Sequence, residues 1–256
     1  MTTMMMRPVR AAAALAIAGL MGMTIAPRRA DAQQRDVALV YRLLQEGQML
    51  VIPSTGDRHA AVIGERLRDR DVVATSANTR AALRFTDDGS ILRVNPNSQV
   101  RLTAGDERGV LVRTLNLEFG EVWARVTHHQ GTTLRVQTPA GVAAVKGTEF
   151  VVQVARDGTT TVITLEGVVE FFNQAGRVDV PAGRKVTVDS ATRAPQAVPA
   201  TAEDVRRATD VRGDEGGGTA NATWIEVQLQ DAAGRTRTLM LQVPADAVRD
   251  RVEGRP

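Results

Sequence analysis

The feature that most constrains the fold is a long series of short alternating segments between residues 60 and 189. About a dozen segments of about 3–7 residues place apolar side chains at every second position, which is the period of a half-buried β-strand. The segments end at turn dipeptides such as Asp-Gly, Ala-Gly and Asn-Pro, which favour tight reversals of the backbone. No helical stretch interrupts the series, so we expect a mainly β domain rather than βαβ units.

The arrangement of these strands is left open by the sequence. Residues 115–126 resemble residues 164–172, since both place an acid beside a glycine and continue as an alternating strand. Residues 85–94 resemble residues 154–163 in the same loose way, around an Asp-Gly turn. No strict repeat period emerges, so a β-solenoid-like fold and a compact β-sandwich fit the pattern equally well.

A short helix and a lead-in strand are predicted before this domain, over residues 33–59. Val37, Val40, Tyr41 and Leu44 recur at the i, i+3, i+4, i+7 spacing of one helical face. This spacing predicts a helix of about three turns that docks on the body and stops near Gly47.

The chain after the β domain divides into a linker over 190–222 and a C-terminal segment over 223–256. The linker is rich in Pro and Gly, and Thr201 to Asp204 has the pattern that caps a short helix reaching about Arg212. In residues 224–243 alternating apolar positions flank an Ala-Gly turn, which predicts a β-hairpin followed by a tail. An isolated hairpin is marginal in water, so it should dock on the main body or pair with its edge.

The first 32 residues have the pattern of a secretory signal peptide. Two arginines precede an uncharged apolar run over 11–26, and Ala30-Asp-Ala32 places small residues where a signal peptidase cleaves. The run is shorter than the about 20 residues that an uncleaved membrane anchor would need. We therefore expect cleavage after Ala32, a periplasmic or secreted mature protein, and no transmembrane segment after cleavage. The sequence has no Cys, so disulfides and a lipoprotein anchor are excluded.

The charge balance argues against a nucleic-acid partner. Removing residues 1–32 takes away four arginines and one acid, which leaves 28 basic and 28 acidic residues in the mature chain. All the bases are Arg except Lys146 and Lys185, and along the sequence they alternate with acids, as over 65–71. A nucleic-acid-binding chain would show clustered basic residues with stacking aromatics. The pattern favours a solvated surface whose charges pair among themselves.

One segment, residues 136–152, carries a family resemblance. It reads VQTPAGVAAVKGTEFVV, and it resembles the signature of the FecR domain family: a Val-x-Thr-Pro stretch, small apolar residues, then Arg or Lys followed by Gly-Thr-x-Phe. The segments 64–75 and 85–94 resemble the opening strands of that family, and 165–169 and 180–183 resemble its closing strands. The resemblance covers residues 60–189. It implies a periplasmic β domain of a sensing family whose founding members control a sigma factor through a cytoplasmic domain, for which this chain shows no counterpart.

The residues of this motif are expected to be mostly structural. Pro139 belongs at a strand start or edge because it lacks an N–H. Gly147 should adopt a positive φ or lie too close to a neighbour for a Cβ. Thr148 and Phe150 share a face, and Lys146 replaces the more usual Arg, which removes a planar bidentate donor. The closing strands contribute two further candidate positions, Gly167 and Gly183.

No pattern in the sequence indicates catalysis, a cofactor or a metal. His128 and His129 are adjacent, so on a strand their side chains would point to opposite faces. Asp87 and Asp88 precede Gly89 and fit a turn better than a calcium site. We expect a non-enzymatic exported module of the bacterial envelope that binds or senses a partner protein or an envelope glycan. The alternative is a structural envelope protein without a signalling role, and the oligomeric state is left open.

Overall fold

The computed structural model describes residues 35–44, 48–212, 222–230 and 236–244, which contain 19 strands and one helix. The predicted signal peptide and the predicted C-terminal tail lie outside the described residues. The strands and the helix are β1 Asp36–Leu44, β2 Met49–Ile52, β3 His59–Ala60, β4 Arg66–Arg68, β5 Val72–Thr75, β6 Arg80–Phe85, β7 Ile91–Val94, β8 Gln99–Glu107, β9 Val110–Arg125, β10 Thr132–Thr138, β11 Gly141–Val145, β12 Glu149–Val154, β13 Thr160–Glu166, β14 Val168–Asn173, β15 Gly176–Pro181, β16 Arg184–Val188, β17 Ala197–Pro199, α1 Ala202–Arg212, β18 Ala222–Gln230 and β19 Thr236–Pro244.

Two sheets form the body. Sheet A has the order β4-β1-β6-β7-β9-β12-β13-β16-β17, and sheet B has the order β3-β2-β5-β8-β9-β10-β11-β14-β15. Neighbouring strands are antiparallel, except that β9 and β10 are parallel. The two sheets share one hydrophobic core, to which both contribute buried residues such as Phe150 and Phe171. The fold is mainly β, as predicted, and the sheets stack as a two-layered sandwich.

The chain passes repeatedly from one layer to the other, which explains why the sequence also resembled a solenoid. The pairs β6–β7, β12–β13 and β16–β17 lie in sheet A, and β10–β11 and β14–β15 lie in sheet B. Strand β9 belongs to both sheets: it pairs with β8 up to Phe119 and with β12 from Gly120 onward. At this crossing Gly120 has φ +102°, and a Cβ there would lie within 2.5 Å of Ser98 atoms, so only glycine fits.

The prediction of a helix from the spacing of Val37, Val40, Tyr41 and Leu44 is wrong, because these residues lie in strand β1. Val37, Ala38, Leu39 and Val40 are all buried, which a helix with a single apolar face would not achieve. Strand β1 pairs with β4 and β6 in sheet A. A short continuous apolar run fits a buried strand as well as a helix, so the spacing of its apolar residues did not distinguish the two.

The helix predicted at Thr201 is present as α1, and it is part of the body rather than of a free linker. The hydroxyl of Thr201 accepts a hydrogen bond from the Asp204 N–H, and the Asp204 carboxylate accepts one from the Thr201 N–H, which is a reciprocal capping box. Lys185 of β16 donates to the same carboxylate at 2.6 Å. Buried Ala208 and Val211 then pack on the outer face of sheet A.

The predicted C-terminal hairpin is also present. Strands β18 and β19 pair antiparallel from Ala222 opposite Pro244 to Gln230 opposite Thr236. They form a separate two-stranded sheet. The guanidinium of Arg66, on edge strand β4, donates to the carbonyl oxygen of Gln228 at 2.5 Å, so the hairpin contacts the body at this edge.

Candidate functional site

Most of the motif residues line one edge of the sandwich, where the chain turns from one sheet into the other. Gly147 lies between β11 and β12, Gly167 between β13 and β14, and Gly183 between β15 and β16. Gly167 accepts a hydrogen bond from the Ala182 N–H at 3.0 Å, and the Thr148 hydroxyl donates to the Val168 carbonyl at 3.1 Å. The turns therefore stack on one another through their backbones, and the motif builds this corner.

Gly147 combines both features that the sequence suggested for it. Its φ is +90°, and a Cβ at this position would lie 2.8 Å from the Cβ of His128 in the neighbouring turn. The ring Nδ1 of His128 is 3.0 Å from the carbonyl oxygen of Lys146, so the two turns are also joined by a hydrogen bond. The side chain of Lys146 itself is exposed. The glycine thus serves close packing of two turns.

Pro139 and Phe150 lie away from this corner. Pro139 is exposed in the turn between β10 and β11, at the other end of β11 and about 15 Å from Lys146 by strand length. Phe150 is fully buried in the shared core with Val152, the face that strand parity predicted. The motif is therefore distributed over a corner, an opposite turn and the core, and it does not converge on a pocket.

The acid pair Asp87-Asp88 closes one end of the core. Arg113, on β9, faces the core and is almost completely buried; it donates to Asp88 at 3.0 Å and 2.5 Å and stacks 4.3 Å from the ring centre of Phe85. Asp88 also accepts the Ser90 N–H, as in a turn. Burial raises the pKa of Asp87, although Arg113 opposes that effect. The cluster is an ion pair linking the two sheets, and its arginine partner could not be identified from sequence spacing.

The histidines form separate surface contacts. His59 donates from Nε2 to Glu65 at 2.6 Å, and this hydrogen bond raises the pKa of His59. His128 and His129 are both exposed, and His129 contacts the carbonyl of its neighbour Gln130. Among the described residues, no cluster of three or more His, Asp or Glu side chains has the arrangement to hold a metal ion.

The outer face of sheet A carries a concentration of arginines, which we name the arginine face. Its outward orientation follows from strand parity, because the residues between its members belong to the core. The registers of sheet A place these side chains in rows with one apolar residue between them: Ala82 lies between Arg42 and Arg93, and Ile91 lies between Arg84 and Arg125. The arginine face consists of Arg66 on β4, Arg42 on β1, Arg80 and Arg84 on β6, Arg93 on β7 and Arg125 on β9.

Acids on the same surface are fewer and partly buried. In the part of the chain that the structure describes, they are Asp36, Glu121 and Glu149, all on sheet A. Burial raises the pKa of Asp36 and of Glu121, while nearby arginines act in the opposite direction. The side chains of Arg66 and Arg125 remain 47% and 35% exposed. Among the described residues, this surface thus has six arginines and three acids, although the mature chain is balanced overall.

Helix α1 lies beside the arginine face and closes one side of it. The buried ring of Trp123 packs with Val151, Ile163 and the helix, and its Nε1 donates to Glu149 at 3.3 Å. Arg93 and Arg125 stack over this ring at 5.2 and 5.4 Å from its centre. Glu149 also binds Arg125 at 2.8 Å and lies 3.7 Å from Arg212 of the helix. The arrangement fixes the planes of these guanidinium groups.

The arginine face was missed in the sequence because alternation along the chain hides it. In a strand, residues of one charge at every second position share a face, and pairing then brings distant strands together. Arg80 and Arg84 show such even spacing within β6, and the β6–β7 pairing brings Arg93 opposite Ala82, which lies between them in sequence. This spacing was the feature of the sequence from which an arginine-rich sheet face could have been predicted.

Comparison with known proteins supports the resemblance carried by the motif. The family model described as FecR protein matches residues 71–170. Two crystal structures, at 1.65 Å and 2.50 Å, of a "putative anti-sigma factor from Parabacteroides distasonis ATCC 8503" match with 18% identity and TM-scores of 0.46 and 0.45. Each match covers 53% of this chain and 62% of that protein, so the similarity spans less than two thirds of its length. No curated protein matches this chain.

The predicted family is therefore confirmed for the central part of the chain. The range that matches the FecR family model, residues 71–170, includes the motif corner at Gly147 and the Arg93 and Arg125 positions of the arginine face. No helix in the described segments has the length and apolar character needed to cross a membrane.

Proposed function

We propose that this FecR-domain chain is an exported, non-enzymatic binding or sensing module of the bacterial envelope, and that it contacts an acidic segment of a partner protein through its arginine face. The observation that carries this proposal is the concentration of arginines on one face of a chain whose mature charges balance. Arg favours carboxylates because its planar guanidinium donates two parallel hydrogen bonds.

The position of α1 favours a polypeptide over a flat anionic surface. The helix stands on the sheet next to Trp123, and Arg93 beside it is only 5% exposed. A flat membrane surface would contact the helix before it reached the arginines of the sheet. A single extended polypeptide segment, in contrast, could lie on the sheet alongside the helix. Phosphate-rich polymers and glycans are the competing ligands that the experiment has to separate.

The test is crosslinking of the mature chain in its native envelope, followed by identification of captured proteins. The variant Arg42→Glu/Arg84→Glu reverses two charges on the arginine face. Arg135→Glu is the charge-reversal control on sheet B, where the arginine is half-buried, as Arg42 and Arg84 are. We expect capture of an acidic partner by the parent and the control, and loss of it in the double variant. Equal capture by all three proteins would refute the arginine face as the contact surface. Retention of anionic polysaccharide without a captured protein would favour a glycan.

Envelope fractionation of the same strains tests the exported location. Recovery of the processed chain in the cytoplasmic fraction would contradict the proposal. A chain that is located in the envelope but captures neither a protein nor a glycan would support the structural alternative.

A further inference from the structure

The four edge strands of the two sheets differ in how well they are protected. Strand β3 has two residues, β4 has three, and β17 has three and ends at Pro199. Short edges and edge prolines are the usual means of preventing strand addition. Strand β15 also ends at a proline, Pro181, but it is longer: it offers six residues and, within the described chain, pairs only with β14.

The backbone groups that β15 leaves unpaired can be identified from one hydrogen bond. The Ala182 N–H donates to the Gly167 carbonyl at 3.0 Å, and this pair continues the register of β14 with β15. Hydrogen-bonded and non-hydrogen-bonded pairs alternate in an antiparallel ladder. Val178 and Val180 therefore bond to β14, while the N–H and C=O groups of Arg177 and Asp179 point away from the sheet.

The side chains at these two positions carry opposite charges, but only one of them is compensated. Arg177 donates to Glu170 of β14 at 2.9 Å. Asp179 lies directly opposite Glu170 in the register, and it forms no hydrogen bond or ion pair with any described residue. Like charges directly opposite one another on neighbouring strands are unfavourable. Within the described part of the chain, Asp179 therefore has no cation partner.

We propose that β15 pairs antiparallel with β15 of a second copy of this chain, about a two-fold axis through Val178. In this register Arg177 faces Asp179 of the second copy, and Asp179 faces Arg177 of the second copy. The four outward backbone groups of each strand then all find partners. A register centred on Arg177 or on Asp179 would instead place identical charges opposite each other, so the strand is self-complementary in one register only.

The ends of the ladder limit its length. Pro181 has no N–H to donate, and at the other end the Ala175 N–H is already bound by Asn173 at 3.0 Å. The contact is therefore small, and an interface of this size belongs to the weak and transient class. The second copy is expected to associate in a concentration-dependent manner.

The experiment is sedimentation of the full mature chain from about 10 µM to about 1 mM, a range that covers weak dissociation constants. Arg177→Asp and Asp179→Arg each place like charges opposite one another at the two-fold axis, and each should weaken dimerisation at least about tenfold. The combined exchange Arg177→Asp/Asp179→Arg restores opposite charges and should recover it. Arg135→Asp, on a central strand of sheet B, is the matched control and should dimerise like the parent.

A parent chain that stays monomeric over the whole range overturns the proposal. Dimers that persist in both single variants show that the copies meet elsewhere, and failure of the combined exchange to recover association shows that the register is wrong. Circular dichroism of each variant establishes that the fold is retained. Asp179→Pro gives a second, independent test, because it removes an outward N–H without touching the bonds to β14, and it should abolish dimerisation.

Discussion

Substitution of Gly147 by alanine separates two contributions to the stability of the motif corner. The residue has φ +90°, which disfavours any side chain by about 1–2 kcal/mol. The new Cβ would also lie 2.8 Å from the Cβ of His128. Two carbons need about 3.5 Å, so the turns must part by about 0.7 Å, and overpacking of this kind costs about 1–3 kcal/mol.

Gly183 provides the matched comparison, because it occupies the same corner with φ +75° and nothing within 4 Å of its virtual Cβ. Gly183→Ala should therefore cost only the backbone contribution. The entropy that alanine removes from the unfolded chain is the same in both variants and cancels in the comparison. We expect Gly147→Ala to be less stable than Gly183→Ala by about 1–3 kcal/mol.

Urea unfolding of the mature chain, followed by far-ultraviolet circular dichroism, measures this difference. With an m-value of about 2 kcal/mol per molar, the two midpoints should differ by about 0.5–1.5 M. Coinciding midpoints would show that the turns at His128 and Gly147 separate without cost. A lower midpoint for Gly183→Ala would refute the close-packing explanation altogether.

The remaining predictions concern the helix cap, the buried ion pair and the leader. The hydrogen bond from Lys185 is the largest cause that lowers the pKa of Asp204 from 3.8 to about 2. The Asp204 carboxylate therefore stabilises the fold above pH 3.8, and this stabilisation is lost as the pH falls towards 2. Asp204→Asn should remove about 1 kcal/mol of this acid-dependent stability after solvent screening, as measured by unfolding at pH 7 and pH 2.5. Arg113→Met should cost about 3–5 kcal/mol in urea unfolding because the buried Asp88 side chain loses its ion-pair partner, and adding Asp88→Asn should recover part of this cost. Failure to recover any of it would refute the ion-pair account. Intact-mass measurement of the exported protein should show a chain beginning at Gln33, and retention of residues 11–26 would contradict cleavage.

The sequence predicted the fold class and the positions of most strands because alternation depends only on neighbouring residues. The turn glycines were equally accessible, and the positive φ of Gly147 follows from the same local reasoning. Strand β1 was mistaken for a helix because its burial depends on sheet A and on both of its neighbours. The buried pair between Asp88 and Arg113 joins residues on different sheets, and no local pattern specifies such a contact.

The arginine face illustrates the same limit for function. Net charge and local alternation both indicated a self-paired surface, yet the relevant quantity is charge per face after folding. Parity places Arg84 and Arg93 outward, and strand order adds Arg42 and Arg125 beside them. A sequence that is neutral on average therefore produces a surface that is not neutral.

The two proposed surfaces lie at different places in the sheet order, and this separation has a functional consequence. The arginine face occupies the β4 to β9 part of sheet A, whereas β15 is the last strand at the opposite end of sheet B. Pairing through β15 would thus leave both arginine faces of a dimer accessible. In such a dimer, binding of one arginine face to a partner would raise the effective concentration of the partner at the second arginine face. A repeated or clustered partner would therefore bind the dimer much more tightly than a monomeric partner. A module built in this way would respond to the assembly state of its partner rather than to its mere presence.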